Sequence, residues 1–250
     1  MFLQGLFNLK PASLLLALAA LVINAHAAPG DLVPAGKRPL AVDLALVLAI
    51  DVSASISAEE HRLQIEGYAQ AFRDPAIVEA IANGERASIA VTVLEWANTE
   101  VPLQPVGWTL IDGAKSARSF ASAVEALPYR PLKGTSIGSA IAFSQRLLES
   151  APCPSERRII DISGDGISMR ESYLASARRA ALADGITING LPIVRSPADG
   201  LPDYYRRWVI GGPASFLVVA DGFAAFQTAV REKLVLEIAG GAPRTRLSEK

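Results

Sequence analysis

Short apolar runs alternate with amphipathic segments along most of this chain. Residues 44–50 form a continuous apolar run, which is typical of a central parallel strand that helices cover on both faces. Similar runs and amphipathic stretches follow one another to residue 239. The pattern predicts strands at 44–50, 87–97, 106–111, 158–163, 186–193 and 215–219, and helices at 57–73, 75–83, 113–127, 136–150, 170–183 and 222–239.

The order of these elements predicts the fold class. Strands that alternate with helices indicate an α/β fold, here a doubly wound, Rossmann-like, mainly parallel six-stranded sheet flanked by helices. The run at 106–111 is predicted to be an edge strand. Ser57 and Glu60 have the spacing of a capping box, so a helix is expected to begin there. Sheets of this kind bind ligands at the carboxyl ends of their strands.

The first residues have the features of a secretory signal peptide. Lys10 precedes an apolar run at 12–23, and small residues at 25 and 27 suit cleavage after Ala27. The run is short for a membrane span, which needs roughly 20 residues, and an uncleaved anchor is the alternative. We expect a periplasmic or secreted protein. The predicted segments are a signal peptide at 1–27, a linker at 28–40, one domain at 41–240 and a flexible tail at 241–250.

Charge and cysteine content exclude several classes of protein. Removing residues 1–27 takes away Lys10 and no acid, which leaves 24 − 1 = 23 basic residues against 25 acidic ones. A nucleic-acid-binding surface needs clustered basic residues, so this balance argues against a nucleic-acid partner. Cys153 is the only cysteine, so an intrachain disulfide is impossible. Nothing near Cys153 in the sequence predicts a reactive thiol.

Three short polar segments stand where a strand should end or a loop should lead into a helix, at 51–55, 134–136 and 163–166. They supply carboxylates and hydroxyls but no imidazole or thiolate, and such oxygen ligands suit a hard divalent cation. If the strands before the two acids are neighbours, the carboxylates meet at one edge of the sheet. The candidate metal ligands are Asp51, Ser53, Ser55, Thr135 and Asp165, and the expected ion is Mg²⁺, with Mn²⁺ or Ca²⁺ as alternatives.

The three segments resemble the metal-ion-dependent adhesion site of von Willebrand factor A domains. That family has Asp-x-Ser-x-Ser after its first strand, a Thr in a later loop and an Asp after its fourth strand, and this chain matches in the same order. Gly164 departs from the pattern, because a Thr usually precedes the last Asp. The resemblance covers roughly residues 41–239. Residues 209–240 also look like the end of a group of exported bacterial proteins of unknown function.

The resemblance implies a binding module rather than an enzyme. A protein, or another acidic ligand, would engage the divalent cation through a carboxylate, and no stable membrane span is expected after signal cleavage. A metal-free structural module is an alternative, because Ser or Asp at the start of a helix is more often a cap than a metal ligand.

Two enzyme classes share parts of these motifs. Residues 134–138 fit the Gly-x-Ser-x-Gly pattern of serine hydrolases, but a poor strand precedes them and His61 lies before the Ser, on a predicted helix surface. Mg²⁺-dependent phosphohydrolases of the haloacid dehalogenase type also open with an Asp after the first strand. Their second acid is replaced here by Ser53, and nothing in the sequence places Lys133 at the site. The phosphohydrolase is kept as an alternative function.

Two further features allow more than one interpretation. Asp161 lies in a predicted buried strand and shares a face with Ser163 and Asp165. We favour a buried carboxylate with a hydrogen-bonding or Arg partner over a group that orients the metal site. Residues 204–208 combine Tyr, Arg and Trp, which are frequent at interfaces. For them we favour a packing element between a loop and a strand.

Overall fold

The computed structural model describes residues 40–98, 102–196, 198 and 200–240. The predicted signal peptide, residues 28–39 of the predicted linker and the predicted tail at 241–250 lie outside the described residues. Within the described part of the chain, no helix is both long and apolar enough to cross a membrane.

The described residues form six strands and seven α-helices, which largely alternate in sequence. The strands are β1 (Leu44–Asp51), β2 (Ile89–Trp96), β3 (Leu103–Ile111), β4 (Arg158–Gly164), β5 (Thr187–Val194) and β6 (Ala220–Asp221). The helices are α1 (Ala58–Arg73), α2 (Pro75–Ala82), α3 (Ala114–Glu125), α4 (Ile137–Glu149), α5 (Glu171–Ala183), α6 (Leu201–Tyr204) and α7 (Phe226–Ala239). A π-helical turn, Tyr205–Val209, continues α6, and a 3₁₀ turn, Phe223–Ala225, precedes α7.

The strands form one sheet in the order β3-β2-β1-β4-β5-β6. All neighbours pair in parallel except β3, which runs antiparallel to β2 at the edge. Every residue of β1 is buried, because helices cover both faces of this central strand. The predicted fold class and the predicted edge strand are therefore confirmed.

Helices cover the sheet on both sides. Alternate β1 residues such as Leu46 and Leu48 pack with α1, α3 and α7, through side chains that include Phe72 and Val230. The other face of β1, including Val47, packs against α4 and α5. The capping box at the start of α1 is present, with Ser57 and Glu60 bonding each other's backbone amide. It fixes the start of α1 beside the carboxyl end of β1.

Two expectations about the fold were wrong. Residues 215–219 do not form the sixth strand, which is the two-residue β6 at Ala220–Asp221. The segment makes only an isolated parallel bridge to β5, between Leu217 and Gly190, and the Asn189 side chain also accepts a hydrogen bond from the Phe216 amide. His61 is buried rather than on the helix surface, because its ring lies 3.6 Å from Glu95 Oε1 and packs against Tyr129.

Candidate metal centre

The polar segments meet because β1 and β4 are parallel neighbours. Ile50 pairs with Ser163, so Asp51 and Asp165 both lie at the carboxyl end of the sheet. The chain just before the third segment, 134–136, lies beside the end of β1. There Ser53 pairs with Leu132, and the Leu132 amide donates a hydrogen bond to the Val52 carbonyl. The structure thus brings together all three segments that the sequence singled out.

Asp51 is the most buried charged group of the site. Its side chain is 0 % exposed, and Oδ1 accepts a hydrogen bond of 2.7 Å from the Ser53 amide. Oδ2 has no hydrogen-bond donor among the described residues. Burial raises the pKa of Asp51 to about 7, and the nearby charge of Asp165 contributes to this rise, while hydrogen bonds from Ser53 oppose it. Ionising a buried carboxylate is costly, and a cation beside it would offset that cost.

Two serines connect Asp51 to Asp165. The Ser53 and Ser55 hydroxyl oxygens lie 2.9 Å apart, and the Ser55 hydroxyl donates to Asp165 Oδ1 over 3.1 Å. Ser53 is buried, whereas Ser55 is exposed at the rim of the site. The Asp-x-Ser-x-Ser segment therefore turns its three oxygen-bearing side chains toward one place.

Thr135 lies beside the Asp165 loop. Its carbonyl accepts a hydrogen bond of 2.9 Å from the Met169 amide, and its own amide lies 3.4 Å from Met169 Sδ. A Cβ placed on Gly166 would lie 3.7 Å from Thr135 Cγ2. Gly134 has a φ of +83°, a backbone conformation that favours glycine, and this turn leads Thr135 into the site.

The surroundings of Gly164 explain why a glycine replaces the usual Thr of the von Willebrand pattern. A Cβ at this position would lie 2.8 Å from Asp51 Oδ2 and 3.1 Å from the Tyr205 hydroxyl oxygen. The Tyr205 hydroxyl also donates to the Gly164 carbonyl over 3.4 Å. Buried Tyr205 thus occupies space next to Asp51, and only a residue without a side chain fits between them.

The donor set fits a hard divalent cation. The five predicted residues offer carboxylate and hydroxyl oxygens, and Asp51 Oδ2 is a buried acceptor without a donor. Such oxygen sets suit Mg²⁺ or Ca²⁺ better than Zn²⁺, which prefers nitrogen and sulfur. No group of three or more His, Cys, Asp or Glu residues suited to a metal ion occurs in the described part of the chain. A site here therefore depends on the hydroxyls as much as on the acids.

Arg195, directly after β5, is a site residue that the sequence did not reveal. Its Nε donates to Asp165 Oδ2 over 2.6 Å, and its Nη1 donates to Glu60 Oε1 over 2.6 Å. Its Nη2 donates to the Ser55 carbonyl over 2.9 Å. A single basic residue after an apolar strand carries no motif, so only the folded arrangement shows this contact.

Asp161 belongs to a separate buried network, as favoured from the sequence, with Lys233 rather than Arg as its partner. Lys233 Nζ lies 2.6 Å from Asp161 Oδ1 and 2.5 Å from Glu237 Oε1. Asn189 Nδ2 also donates to Glu237 Oε1 over 2.8 Å. Burial, and then the Asp161 charge, raise the pKa of Glu237 to about 7. Two acids here share one buried cation.

The residues needed by a hydrolase do not come together. The Ser136 hydroxyl lies 2.9 Å from that of Ser139 and caps α4, whereas His61 pairs with Glu95. Lys133, which a phosphohydrolase would need at the site, is exposed. The hydroxyl of the Gly-x-Ser-x-Gly segment therefore serves the start of a helix.

Residues 204–208 are helical, and they pack between a loop and a strand as expected, since a Cβ on Gly190 of β5 would lie 2.8 Å from the Tyr205 ring. Tyr205 is buried and its hydroxyl approaches the metal centre, whereas Trp208 is exposed. The Tyr204 hydroxyl accepts a hydrogen bond from the Ser168 amide. This segment therefore supports the loop after Asp165.

Cys153 is partly buried, and burial raises the pKa of its thiol.

The fold is that of von Willebrand A domains, as the sequence resemblance implied. The family model described as "Protein of unknown function (DUF1194)" matches residues 41–242. The chain belongs to this DUF1194 family. A search of the curated proteins found no match.

Solved structures with the same fold have low sequence identity. Proximal thread matrix protein 1 of the mussel byssus, with a zinc-occupied MIDAS motif, has a TM-score of 0.55 and 12% identity over 81% of this chain and 50% of its own. A von Willebrand factor type A protein from Catenulispora acidiphila has a TM-score of 0.57 and 16% identity over 79% and 43%. The von Willebrand domain of the pilus tip protein Mfa5 from Porphyromonas gingivalis has a TM-score of 0.58 and 10% identity over 84% and 99%. The chain spans at most half the length of the first two proteins.

Proposed function

We propose that this protein is an exported, metal-ion-dependent binding module of the adhesion type, without catalytic activity. A divalent cation, Mg²⁺ in the first place, is held by the five predicted residues and engages an acidic group of a protein partner. These five ligands are Asp51, Ser53, Ser55, Thr135 and Asp165.

The observation that carries the proposal is the unsatisfied Oδ2 of Asp51. A buried carboxylate oxygen without a donor is costly, because it has lost its water. Such oxygens also occur on Glu95, Asp161 and Glu237, but that of Asp51 lies beside the Ser53 and Ser55 hydroxyls. The polar atoms that converge on this place are oxygens from Ser53, Ser55 and Asp165, which lie within a chain of contacts of 2.9 and 3.1 Å. A cation would satisfy Asp51 and use these same oxygens.

The number of protein ligands leaves an open coordination position. Mg²⁺ prefers six oxygens, so the five proposed protein oxygens leave one position for an exchangeable water. A partner's carboxylate replaces such a water without displacing a protein ligand. The zinc-occupied motif of the mussel protein supports binding of a divalent cation by this fold.

Exposed apolar side chains border the site. Ile167 is 55 % exposed and Met169 is 74 % exposed, both in the loop after Asp165, and Met169 contacts Thr135. Large apolar side chains exposed together beside a polar site are typical of binding surfaces. They suit a partner that presents an apolar side chain next to its acidic group.

Titration of metal tests the proposal most directly. Mg²⁺ and Mn²⁺ are titrated by calorimetry into metal-stripped protein from residue 28 onwards, beside Asp51→Ala and Asp165→Ala. We expect binding by the wild type and none by Asp51→Ala, with both variants folded by circular dichroism. Equal affinity in all three proteins would refute the site. No binding by folded wild type would leave the metal-free structural module as the better description.

A second measurement addresses the open position. Water-proton relaxation by protein-bound Mn²⁺ reports exchangeable water on the ion, and added acetate serves as a simple carboxylate. We expect bound Mn²⁺ to enhance relaxation and acetate to reduce the enhancement. A bound ion that acetate does not affect would contradict engagement of an acidic ligand. Turnover of a generic phosphate ester that is lost in Asp51→Asn would favour the phosphohydrolase instead.

A further inference from the structure

Arg195 places a positive charge against the same carboxylate that the proposed metal needs. Its guanidinium bonds Asp165, Glu60 and the Ser55 carbonyl, with one nitrogen for each acceptor. It also lies over the Phe223 ring, with the guanidinium carbon 5.2 Å from the ring centre. These contacts join the loops after β1 and β4 to the first turn of α1.

The two oxygens of Asp165 face different neighbours. Oδ1 accepts from the Ser55 hydroxyl on the side of the metal ligands, whereas Oδ2 accepts from Arg195. The Asp165 side chain is only 2 % exposed, whereas that of Arg195 is 40 % exposed. The guanidinium therefore covers Asp165 from the solvent side. The positive charge of Arg195 compensates the negative charge of Asp165, which would otherwise be available to a divalent cation.

We propose that Arg195 is an internal counter-ion that competes with the divalent cation for Asp165 and keeps the metal affinity of the site low. This inference rests on the proposed metal site. Arg195 acts on the metal through Asp165, so it is a positioning residue. In the metal-free protein it holds the loops around the site closed with its own charge.

The direction of the effect follows from electrostatics. A fixed unit charge repels a divalent ion placed on the other side of the same carboxylate, and it lowers the negative potential that attracts the ion. Because Arg195 is partly exposed, water and salt screen this repulsion, and a change of about tenfold in affinity is the expected scale. Metal binding to Asp165 would also weaken its hydrogen bond with Arg195. Replacing Arg195 removes that bond beforehand, so the metal no longer has to compete with it.

Metal titration of charge variants tests the inference. We compare the Mg²⁺ dissociation constants of wild type, Arg195→Gln and Arg195→Lys, with Arg62→Gln as a control. Arg62 is an exposed arginine on α1 that pairs with Glu59 and Glu66, away from the metal ligands. We expect Arg195→Gln to lower the dissociation constant about tenfold. Arg195→Lys, which keeps the charge, and Arg62→Gln should stay within about threefold of wild type.

A readout on the wild type keeps the test valid if Arg195→Gln does not fold. In protein with ¹⁵N-labelled arginine, the Arg195 Nε–H signal, assigned with the lysine variant, should be protected in chelator and shift on addition of Mg²⁺. A signal that Mg²⁺ leaves unchanged, or an unchanged or weaker affinity in folded Arg195→Gln, would overturn the role of Arg195 while the metal site stands. If neither wild type nor Arg195→Gln binds metal, both proposals fail. Binding that appears only in Arg195→Gln would support the competition directly.

Discussion

Gly164 and Asp51 are in such close contact that a single methyl group at Gly164 would reach the carboxylate. The added Cβ would lie 2.8 Å from Asp51 Oδ2, closer than side-chain carbons normally approach an oxygen. The von Willebrand pattern has a Thr at this position, and the Cβ of a Thr here would meet the Asp51 carboxylate. The buried Tyr205 hydroxyl, 3.1 Å from the same Cβ position, provides the physical reason.

Gly164→Ala should therefore disturb the metal site directly. We expect the added methyl to displace the Asp51 carboxylate and to weaken Mg²⁺ binding at least tenfold, as measured by calorimetry. Gly166→Ala is the matched control, because its Cβ would meet only Thr135 Cγ2, at an ordinary distance of 3.7 Å. Equal metal affinity in the two alanine variants would contradict the importance of the Gly164 contact.

Asp51→Asn should stabilise the metal-free protein at alkaline pH. The pKa of Asp51 is raised to about 7 in the folded protein from an ordinary value of 3.8, chiefly by burial. The folded state thus holds the proton more tightly, and stability falls as pH rises from about 4 to 7. We expect Asp51→Asn to remove this loss and to raise the free energy of unfolding at pH 8 by about 1–3 kcal/mol.

Urea unfolding in chelator at pH 5 and pH 8 measures this effect. Glu79→Gln, at an exposed position on α2, serves as the control for a neutralised acid. Wild type and Asp51→Asn should differ more at pH 8 than at pH 5. The same difference at both values would show that Asp51 is ionised in the folded protein throughout this range.

Glu237→Gln should act in the same direction in the buried network. Glu237 and Asp161 share the single cation of Lys233, and burial raises the pKa of Glu237 from 4.5 to about 7. Stability therefore falls as pH rises through this interval, because the folded state binds the proton more strongly. The Gln side chain keeps the Oε1 acceptor for Asn189 and Lys233, and we expect about 1–3 kcal/mol more stability at pH 8.

Lys233→Met provides the opposite change. It leaves two buried acids without their cation, and removing one partner from a buried ion pair typically costs about 3–5 kcal/mol. The two variants are compared by urea unfolding between pH 5 and 8. A destabilised Glu237→Gln at pH 8 would mean that the ionised carboxylate stabilises the fold.

Ser57→Ala should weaken the start of α1. The Ser57 hydroxyl accepts a hydrogen bond from the Glu60 amide over 3.3 Å, and Glu60 Oε2 accepts one from the Ser57 amide over 2.8 Å. Loss of such an N-cap costs about 1 kcal/mol, whereas Ser57→Thr should retain most of it. Thermal unfolding of both variants checks this. Equal melting temperatures would show that packing alone holds the first turn.

Local signals in the sequence were enough to predict the fold class and the candidate ligands. The fully apolar run of β1 and the capping box at Ser57 are local signals, because burial on both faces and helix capping act on neighbouring residues. The five predicted ligands lie in segments that the structure brings together at one sheet edge, although their role as ligands stays a prediction. The meeting of these segments could be predicted because the carboxyl ends of parallel strands lie at the same edge of a sheet.

The contacts between residues far apart in the chain could be seen in the folded structure alone. It placed Arg195 on Asp165 and Lys233 between Asp161 and Glu237, and it buried His61 beside Glu95. It also limited the last strand to Ala220–Asp221, with a single bridge to β5 at Leu217 before it. Each of these contacts depends on which side chains from distant segments come together in the fold. The hydrophobic periodicity of one segment does not indicate which distant side chain it will contact.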